Sequence, residues 1–140
     1  MKIGIVGCRP PANRTVLVDN IDLYRAICQA AYAFAVNLPA GTTIVSGGAQ
    51  GVDHAAALAA KRYPDRLCLV EHLPDYEKYS RTKAPLARNL LIVRDADEIH
   101  AWPAPWSRGT WHTINAAKRA GKTVVVHDVT PEPSSEEPKR

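Results

Sequence analysis

Short apolar runs alternate with longer amphipathic stretches along this chain. Residues 3–6 and 124–126 are almost continuously apolar and rich in isoleucine and valine, which is typical of strands covered on both faces. The stretches between such runs place apolar residues three and four positions apart, which indicates helices. The pattern predicts strands at 2–7, 42–45, 67–70, 98–102 and 123–127, and helices at 20–38, 51–63, 85–93 and 110–120.

This alternation of strands and helices predicts a single α/β domain. Right-handed crossovers between successive strands give a parallel sheet with helices on both faces, in three layers. We expect the domain to span 1–129. The stretch 130–140 contains three prolines and five charged residues, with no apolar side chain other than proline, so it is predicted to be a disordered tail.

The composition of the 140 residues narrows the class of protein. Hydrophobic residues at 46% and charged residues at 23% exclude a wholly disordered, collagen-like or coiled-coil protein. No apolar run approaches the roughly 18–20 residues of a membrane span, and the first apolar run is too short for a signal peptide, so we expect a cytoplasmic protein without a membrane partner. The three cysteines form no CxxC pair and the five histidines no HxH or HExxH spacing, so we predict no metal site and no cofactor.

Two glycine-rich turns have the composition of phosphate-binding sites. Each runs from a predicted strand into a predicted helix, at the sheet edge where open α/β sheets bind ligands. Unpaired N–H groups and the positive end of the helix dipole favour an anion there, although tight-turn glycines and helix caps explain the same composition without a ligand. The first turn contains Ser46, Gly47, Gly48 and Asp53, and the second contains Ser107, Arg108, Gly109 and Thr110.

Three further features leave alternatives open. Asp53 lies in the first turn of its predicted helix, where it either compensates the helix dipole or accepts hydrogen bonds from ribose hydroxyls. The stretch 78–94 contains five basic residues and no acid, and it is either a solvated face or a lid that supplies charge to an anionic ligand. Trp102, Trp106 and Trp111 either stack on a base or pack at the sheet edge or a subunit contact.

Four segments, in this order, resemble motifs of the SLOG superfamily, which groups the domain of DNA-processing protein A (DprA/Smf), the lonely-guy (LOG) enzymes and small stand-alone domains. Residues 3–9 are similar to an opening strand that ends in G-[ST]-R, with Cys8 where serine is usual. Residues 46–53 resemble the S-G-x-A-x-G-[IV]-D turn, 88–93 resemble R-N-x-x-[IL]-[IVA], and 107–113 resemble S-x-G-T-x-x-[TE]. The similarity is closest to the small stand-alone members.

The resemblance implies a Rossmann-like five-stranded sheet of order 3-2-1-4-5. It also implies a nucleotide-type ligand over the ends of the first, second and fourth strands, and it makes self-association an option. Together with the stacking hypothesis for one tryptophan, it gives the candidate ligand-binding residues Gly7, Cys8, Arg9, Ser46, Gly47, Gly48, Asp53, Arg88, Asn89, Trp102, Ser107, Arg108, Gly109 and Thr110.

One departure from the family patterns bears on chemistry. LOG-type phosphoribohydrolases resemble P-G-G-x-G-T-x-x-E in the last turn, where the final glutamate is catalytic, and this chain has Thr113 at that position. We therefore expect binding of a small phosphorylated, nucleotide-like ligand rather than catalysis. Two alternatives stay open: a phosphoribohydrolase-like enzyme with Asp53 as the catalytic residue, and single-stranded nucleic-acid binding as in DprA. The net charge of +4, with five basic residues in 78–94, fits one pocket for a small phosphorylated ligand better than a general affinity for polyanions.

Overall fold

A five-stranded, all-parallel sheet forms the centre of the protein in the computed structural model, which describes residues 1–130. The strands lie in the order β3-β2-β1-β4-β5, which confirms the expected α/β Rossmann-like class and strand order. The central strand β1 pairs in parallel with β2 on one side and β4 on the other. The strand bounds are β1 (Lys2–Gly7), β2 (Thr42–Ser46), β3 (Leu67–Glu71), β4 (Glu98–Trp102) and β5 (Thr123–Val126).

Five helices accompany the sheet in this part of the chain: α1 (Arg14–Asp19), α2 (Ile21–Val36), α3 (Val52–Arg62), α4 (Lys83–Asp95) and α5 (Arg108–Arg119). Helices α2 and α3 pack together over one side of the sheet, and α4 and α5 pack together over the other. The sequence pattern places the last four within a few residues of these bounds. It misses α1, because that six-residue helix buries none of its side chains and so has no apolar stripe.

Two hydrophobic cores fill the space between the sheet and its helices. On the α2–α3 side, Ile3 and Ile5 of β1 pack with alanines of α3, whose small side chains bring that helix close to the sheet. On the α4–α5 side, Val6 packs with Ile99 and Ile114. Strand β1 contributes to both cores, as the continuous apolar run predicts.

Three expectations concern the chain as a whole, whereas the structure describes residues 1–130 only. The predicted tail lies outside the described residues except for Thr130, so the division at residue 129 stays a prediction. Among residues 1–130, no helix has both the length and the apolar character needed to cross a membrane. The same residues contain no cluster of three or more histidine, cysteine or acidic side chains that could hold a metal ion.

Candidate functional site

A cleft of about 470 Å³ opens where the loops after β1 and β4 meet the first turns of α3, α4 and α5. This is the point at which the strand order reverses, where open α/β sheets bind ligands. Of the fourteen candidate residues, the structure brings nine together in the cleft wall: Gly7, Arg9, Asp53, Arg88, Asn89, Ser107, Arg108, Gly109 and Thr110.

The first turn of α5 faces this cleft without a side-chain cap. Ser107 occupies the N-cap position but makes no capping hydrogen bond. Its hydroxyl instead accepts a hydrogen bond from the Ala104 N–H at 2.9 Å. The first turn contains no acidic residue, so neither a hydroxyl nor a carboxylate of this turn competes for its N–H groups. Arg108 and Gly109 are exposed at the same turn, which leaves room for an anion beside them.

The turn before α3 is different, because its polar groups form hydrogen bonds with other groups of the protein. The carboxylate of Asp53 accepts a hydrogen bond from the Ala49 N–H at 3.1 Å. Gly51 has a φ of +87°, and a β-carbon there would lie 2.2 Å from the Cys8 carbonyl oxygen, so this position requires glycine. The Val52 N–H donates to that same carbonyl at 3.1 Å. The glycines of this turn therefore serve close packing, and the turn reaches the cleft through Ala49 and Asp53.

Arg88 brings a buried positive charge to the cleft. Its guanidinium donates to the Gly47 carbonyl and, at 3.0 Å, to the Asn89 side-chain oxygen. These acceptors are neutral, and within residues 1–130 Arg88 forms no ion pair with a carboxylate. Burial lowers the pKa of Arg88 and nearby Asp53 raises it, but an arginine stays charged at any physiological pH. The charge is therefore available to an anion.

Asp53 is the acidic residue of the cleft wall, and its ionisation is perturbed. Burial raises the pKa of this carboxyl to about 6, against the lowering effects of the Ala49 N–H and of the Arg88 charge. Glu71 also raises it, and Ser46 lowers it. A carboxylate that is buried at this level needs hydrogen-bond donors to remain ionised at neutral pH.

The structure does not bring Trp102 to the cleft, so the stacking role expected for it has no geometric support. Its indole is 1% exposed and packs face to face on His127, with ring centroids 4.2 Å apart. Phe34 covers an edge of the same ring. The alternation of β4 explains this position, because residues 98, 100 and 102 all point to the α2 side of the sheet.

Trp106 is the tryptophan that lines the cleft. Its indole N–H donates to the Arg9 carbonyl at 2.7 Å, which ties the loop after β4 to the loop after β1. Pro10, Pro11 and Val16 form part of the same wall. Trp111 is 44% exposed and does not belong to this wall. The sequence signal for Trp106 was the cluster of three tryptophans around two prolines, beside the glycine-rich turn, and this signal does not tell which of the three lines a cleft.

Four other candidates lie near the cleft without lining it. Cys8 is buried, and burial raises the pKa of its thiol to about 12, so it is a structural residue. Ser46 is fully buried, and its hydroxyl oxygen has no hydrogen-bond partner of normal geometry among the described residues. Gly47 supplies the carbonyl that holds Arg88. Gly48 is exposed with a φ of +73°, and it shapes the turn.

The basic stretch divides between the cleft and the solvent. Arg88 lines the cleft, whereas Lys78, Arg81 and Lys83 are exposed outside its wall. The stretch is therefore neither wholly a solvated face nor wholly a lid.

Thr113 lies at the base of the cleft and is 2% exposed, and its hydroxyl donates to the Gly109 carbonyl at 3.3 Å. At the position of the glutamate in the LOG-type pattern, this chain thus has a threonine whose hydroxyl is bonded to the backbone of its own helix.

Comparison with known proteins adds one relative in sequence. No family model matches the chain. The gene 61 protein of Mycobacterium phage D29 is 30% identical to it over 130 residues, and the alignment covers 89% of this chain and 94% of that protein.

Solved structures with the same fold include two DNA processing proteins. DNA processing protein A of Helicobacter pylori, which binds single-stranded DNA, superposes with a TM-score of 0.59 at 21% identity. The Streptococcus pneumoniae protein superposes with a TM-score of 0.58 at 18% identity. The matches cover 90% and 89% of this chain but only 64% and 49% of those two chains. At these identities the similarity shows the fold.

Proposed function

The chain belongs to the family of the gene 61 protein of Mycobacterium phage D29, and we propose that it binds a nucleotide, with the phosphate at the first turn of α5. The observation that carries this proposal is the uncapped start of α5, which opens into the cleft beside Arg108. Backbone N–H groups at a helix N-terminus form a ready anion site, and a guanidinium adds a bidentate contact to phosphate oxygens.

The charge of the cleft wall supports an anionic ligand. Arg9, Arg88 and Arg108 line it together with Asp53, which leaves a net charge of +2 with all four ionised. A terminal phosphate carries about two negative charges at neutral pH. The charge of the wall therefore complements a phosphate monoester.

The remaining wall supports a base. Pro10, Pro11 and Trp106 give one side of the cleft an apolar surface beside the charged floor. Pockets of roughly 300–1,000 Å³ with such a mixed lining are typical of small-molecule sites, and a volume of about 470 Å³ falls within this range.

The proposal is binding without N-glycosidic cleavage. Such cleavage passes through an oxocarbenium-like transition state that carboxylates stabilise. Thr113 stands where the LOG-type pattern places its catalytic glutamate. Asp53 is the acid that remains in the wall, and its Oδ2 accepts from the Ala49 N–H, so a single carboxylate with one open oxygen faces the cleft.

Single-stranded DNA is the second candidate ligand. The Helicobacter pylori protein with the same fold binds it. In this chain, Lys78, Arg81 and Lys83 are exposed on the segment that leads into α4, whose first turn lines the cleft. A strand with one phosphate at α5 would have further cations available along this segment.

Calorimetric titration with nucleoside mono-, di- and triphosphates and with oligo(dT) tests both candidates. We expect Arg108→Ala to weaken mononucleotide binding about tenfold or more, because a charge-assisted hydrogen bond contributes roughly 1.5–3 kcal/mol. Arg119→Ala is the matched control, because Arg119 is exposed in the last turn of the same helix. Equal losses in the two variants, or no binding of any nucleotide or oligonucleotide, would contradict the proposal.

The salt dependence separates the candidates. A single-stranded ligand that contacts Z phosphates gives a logarithmic slope of about −0.7Z against salt, whereas one phosphate gives a shallow slope. Steep dependence with oligo(dT) and no mononucleotide binding would favour the second candidate.

A further inference from the structure

Asp53 is an acid in the wall of a cleft that otherwise presents positive charge. It is 8% exposed and lines the cleft together with Arg88. We propose that Asp53 accepts a hydrogen bond from a ribose hydroxyl of the bound nucleotide, so that the ligand is a ribonucleotide with a free sugar diol. This inference rests on the proposed nucleotide site and specifies which class of nucleotide it takes.

The hydrogen bonds of the carboxylate leave one oxygen for a ligand. Oδ2 accepts from the Ala49 N–H, while Oδ1 has no hydrogen-bond partner within residues 1–130. In that region, the Ser46 hydroxyl oxygen is the side-chain atom that is both fully buried and without a hydrogen-bond partner. Oδ1 also has no partner but does not share that full burial, so it retains access to the cleft. An ionised carboxylate is an acceptor only, so its partner must be an N–H or O–H group.

Among residues 1–130, no neighbouring side chain donates to Oδ1 with normal hydrogen-bond geometry. Arg88 approaches Asp53 around Gly47, but its guanidinium donates to the Gly47 carbonyl and to the Asn89 side chain. The Ser46 side chain lies close enough to lower the pKa of Asp53, but its hydroxyl oxygen has no hydrogen-bond partner of normal geometry within the described chain. The carboxylate therefore has one backbone donor, which is little for a charge that is buried to this degree.

The arrangement of the wall indicates that a sugar hydroxyl of the ligand donates to the open oxygen Oδ1. The phosphate has its N–H groups and Arg108 at the first turn of α5, and like charge keeps it away from the carboxylate. The base has the apolar surface of Pro10, Pro11 and Trp106. The sugar joins these two parts of a nucleotide, and its hydroxyls are the donors that remain for a carboxylate between them.

The test compares AMP with 2′,3′-dideoxy-AMP by calorimetry near pH ~8, where Asp53 is ionised because its pKa is about 6. We expect AMP to bind about tenfold or more tightly, because hydrogen bonds to charged groups are worth that much. In Asp53→Asn the amide oxygen can keep the Ala49 bond, so the fold is retained. The preference for AMP should then fall about fivefold or more, because a neutral amide replaces the charged acceptor.

Asp22→Asn is the matched control, because Asp22 is also an acid in the first turn of a helix but is exposed. We expect it to leave the preference for AMP unchanged. If Asp53→Asn fails to fold, the comparison of the two nucleotides on the wild-type protein decides alone.

The outcomes separate this inference from the proposed function. Equal affinities for AMP and its dideoxy analogue would overturn the sugar assignment while leaving the phosphate site in place. Tighter binding of AMP than of IMP, combined with no effect of the sugar hydroxyls, would assign the carboxylate to the base amino group and would also overturn it. Binding of oligo(dT) alone, or no binding at all, would overturn both this inference and the proposed mononucleotide site.

Discussion

Replacing the carboxyl of Asp53 by an amide should stabilise the protein in a way that depends on pH. The folded pKa of Asp53 is about 6, and the unperturbed value is 3.8, because burial disfavours the charged form. Between these two values the folded protein binds a proton that the unfolded chain does not. The free energy of unfolding of the wild type therefore rises as the pH falls from about 6 to about 4, and it is lowest above that window.

The size of the effect follows from the difference between the two pKa values. A difference of roughly 2 pH units corresponds to about 3 kcal/mol at 1.36 kcal/mol per unit. Asp53→Asn resembles the protonated side chain and can retain the Ala49 hydrogen bond. We expect the variant to exceed the wild type by up to about 3 kcal/mol near pH ~8, and to match it near pH ~4.

Urea denaturation of both proteins across this range measures the difference directly, provided that the two m-values agree. The difference between the curves removes the contribution of every other titrating group. Asp22→Asn is the control for the loss of an acid from the first turn of a helix, because Asp22 is exposed. A gap between wild type and Asp53→Asn that is equal at both ends of the range would refute the assignment of the raised pKa to Asp53.

Three further variants test other parts of the structure. Trp102→Leu should lower the free energy of unfolding by about 2–4 kcal/mol, because it leaves a cavity in the core, and should leave nucleotide affinity unchanged. A large loss of affinity in calorimetry would show that Trp102 contributes to the binding site. Gly51→Ala should lower the free energy of unfolding by more than about 2 kcal/mol in urea denaturation, because the positive φ and the Cys8 carbonyl both oppose a β-carbon. An unchanged free energy of unfolding would contradict the close approach of Gly51 to the Cys8 carbonyl. The Arg94 side chain and the His72 ring lower the pKa of Asp95 to about 2, so the wild type should lose stability as the pH falls from about 4 toward 2. Asp95→Asn should lack that part of the loss, and identical acid-denaturation profiles of the two proteins would contradict the ion pairs.

The strands were predictable because short apolar runs form their centres. In β1 and β4 the predicted and observed bounds agree, since both faces are buried and the polar residues are confined to Lys2 and Glu98 at the strand starts and to His100. Helix α1 was not predictable by the same signal. Its evidence was local: the Asn13 side chain accepts from the Val16 N–H at 3.1 Å and caps a helix that has no buried face.

Cleft residues were predictable from sequence where their position relative to the strand ends located them, and not where the prediction depended on the type of side chain. Gly7, Asp53 and Arg108 follow strand ends, so topology alone brings them to one edge of the sheet. The predicted bounds of β4 already place Trp102 inside the strand and Trp106 after it, but they do not tell to which face of the sheet the last strand residue points, and the observed alternation sends Trp102 into the core. The hydrogen bonds that tie up the turn before α3 are equally invisible to sequence, because the same glycine spacing suits both an open and a self-satisfied turn.

The backbone at Cys8 has a consequence for the kinetics of association. The Cys8 N–H donates to the Trp102 carbonyl at 3.0 Å and the Cys8 carbonyl accepts from the Val52 N–H, so this one residue joins β1, β4 and α3 beside the cleft wall. A support built from core backbone is already in place before any ligand arrives, and no slow rearrangement of it has to precede binding. Encounter should then be governed by diffusion and by attraction to the arginines of the rim, with an association rate that falls as salt screens that attraction. Differences in affinity among ligands would accordingly be found mainly in how long each one stays.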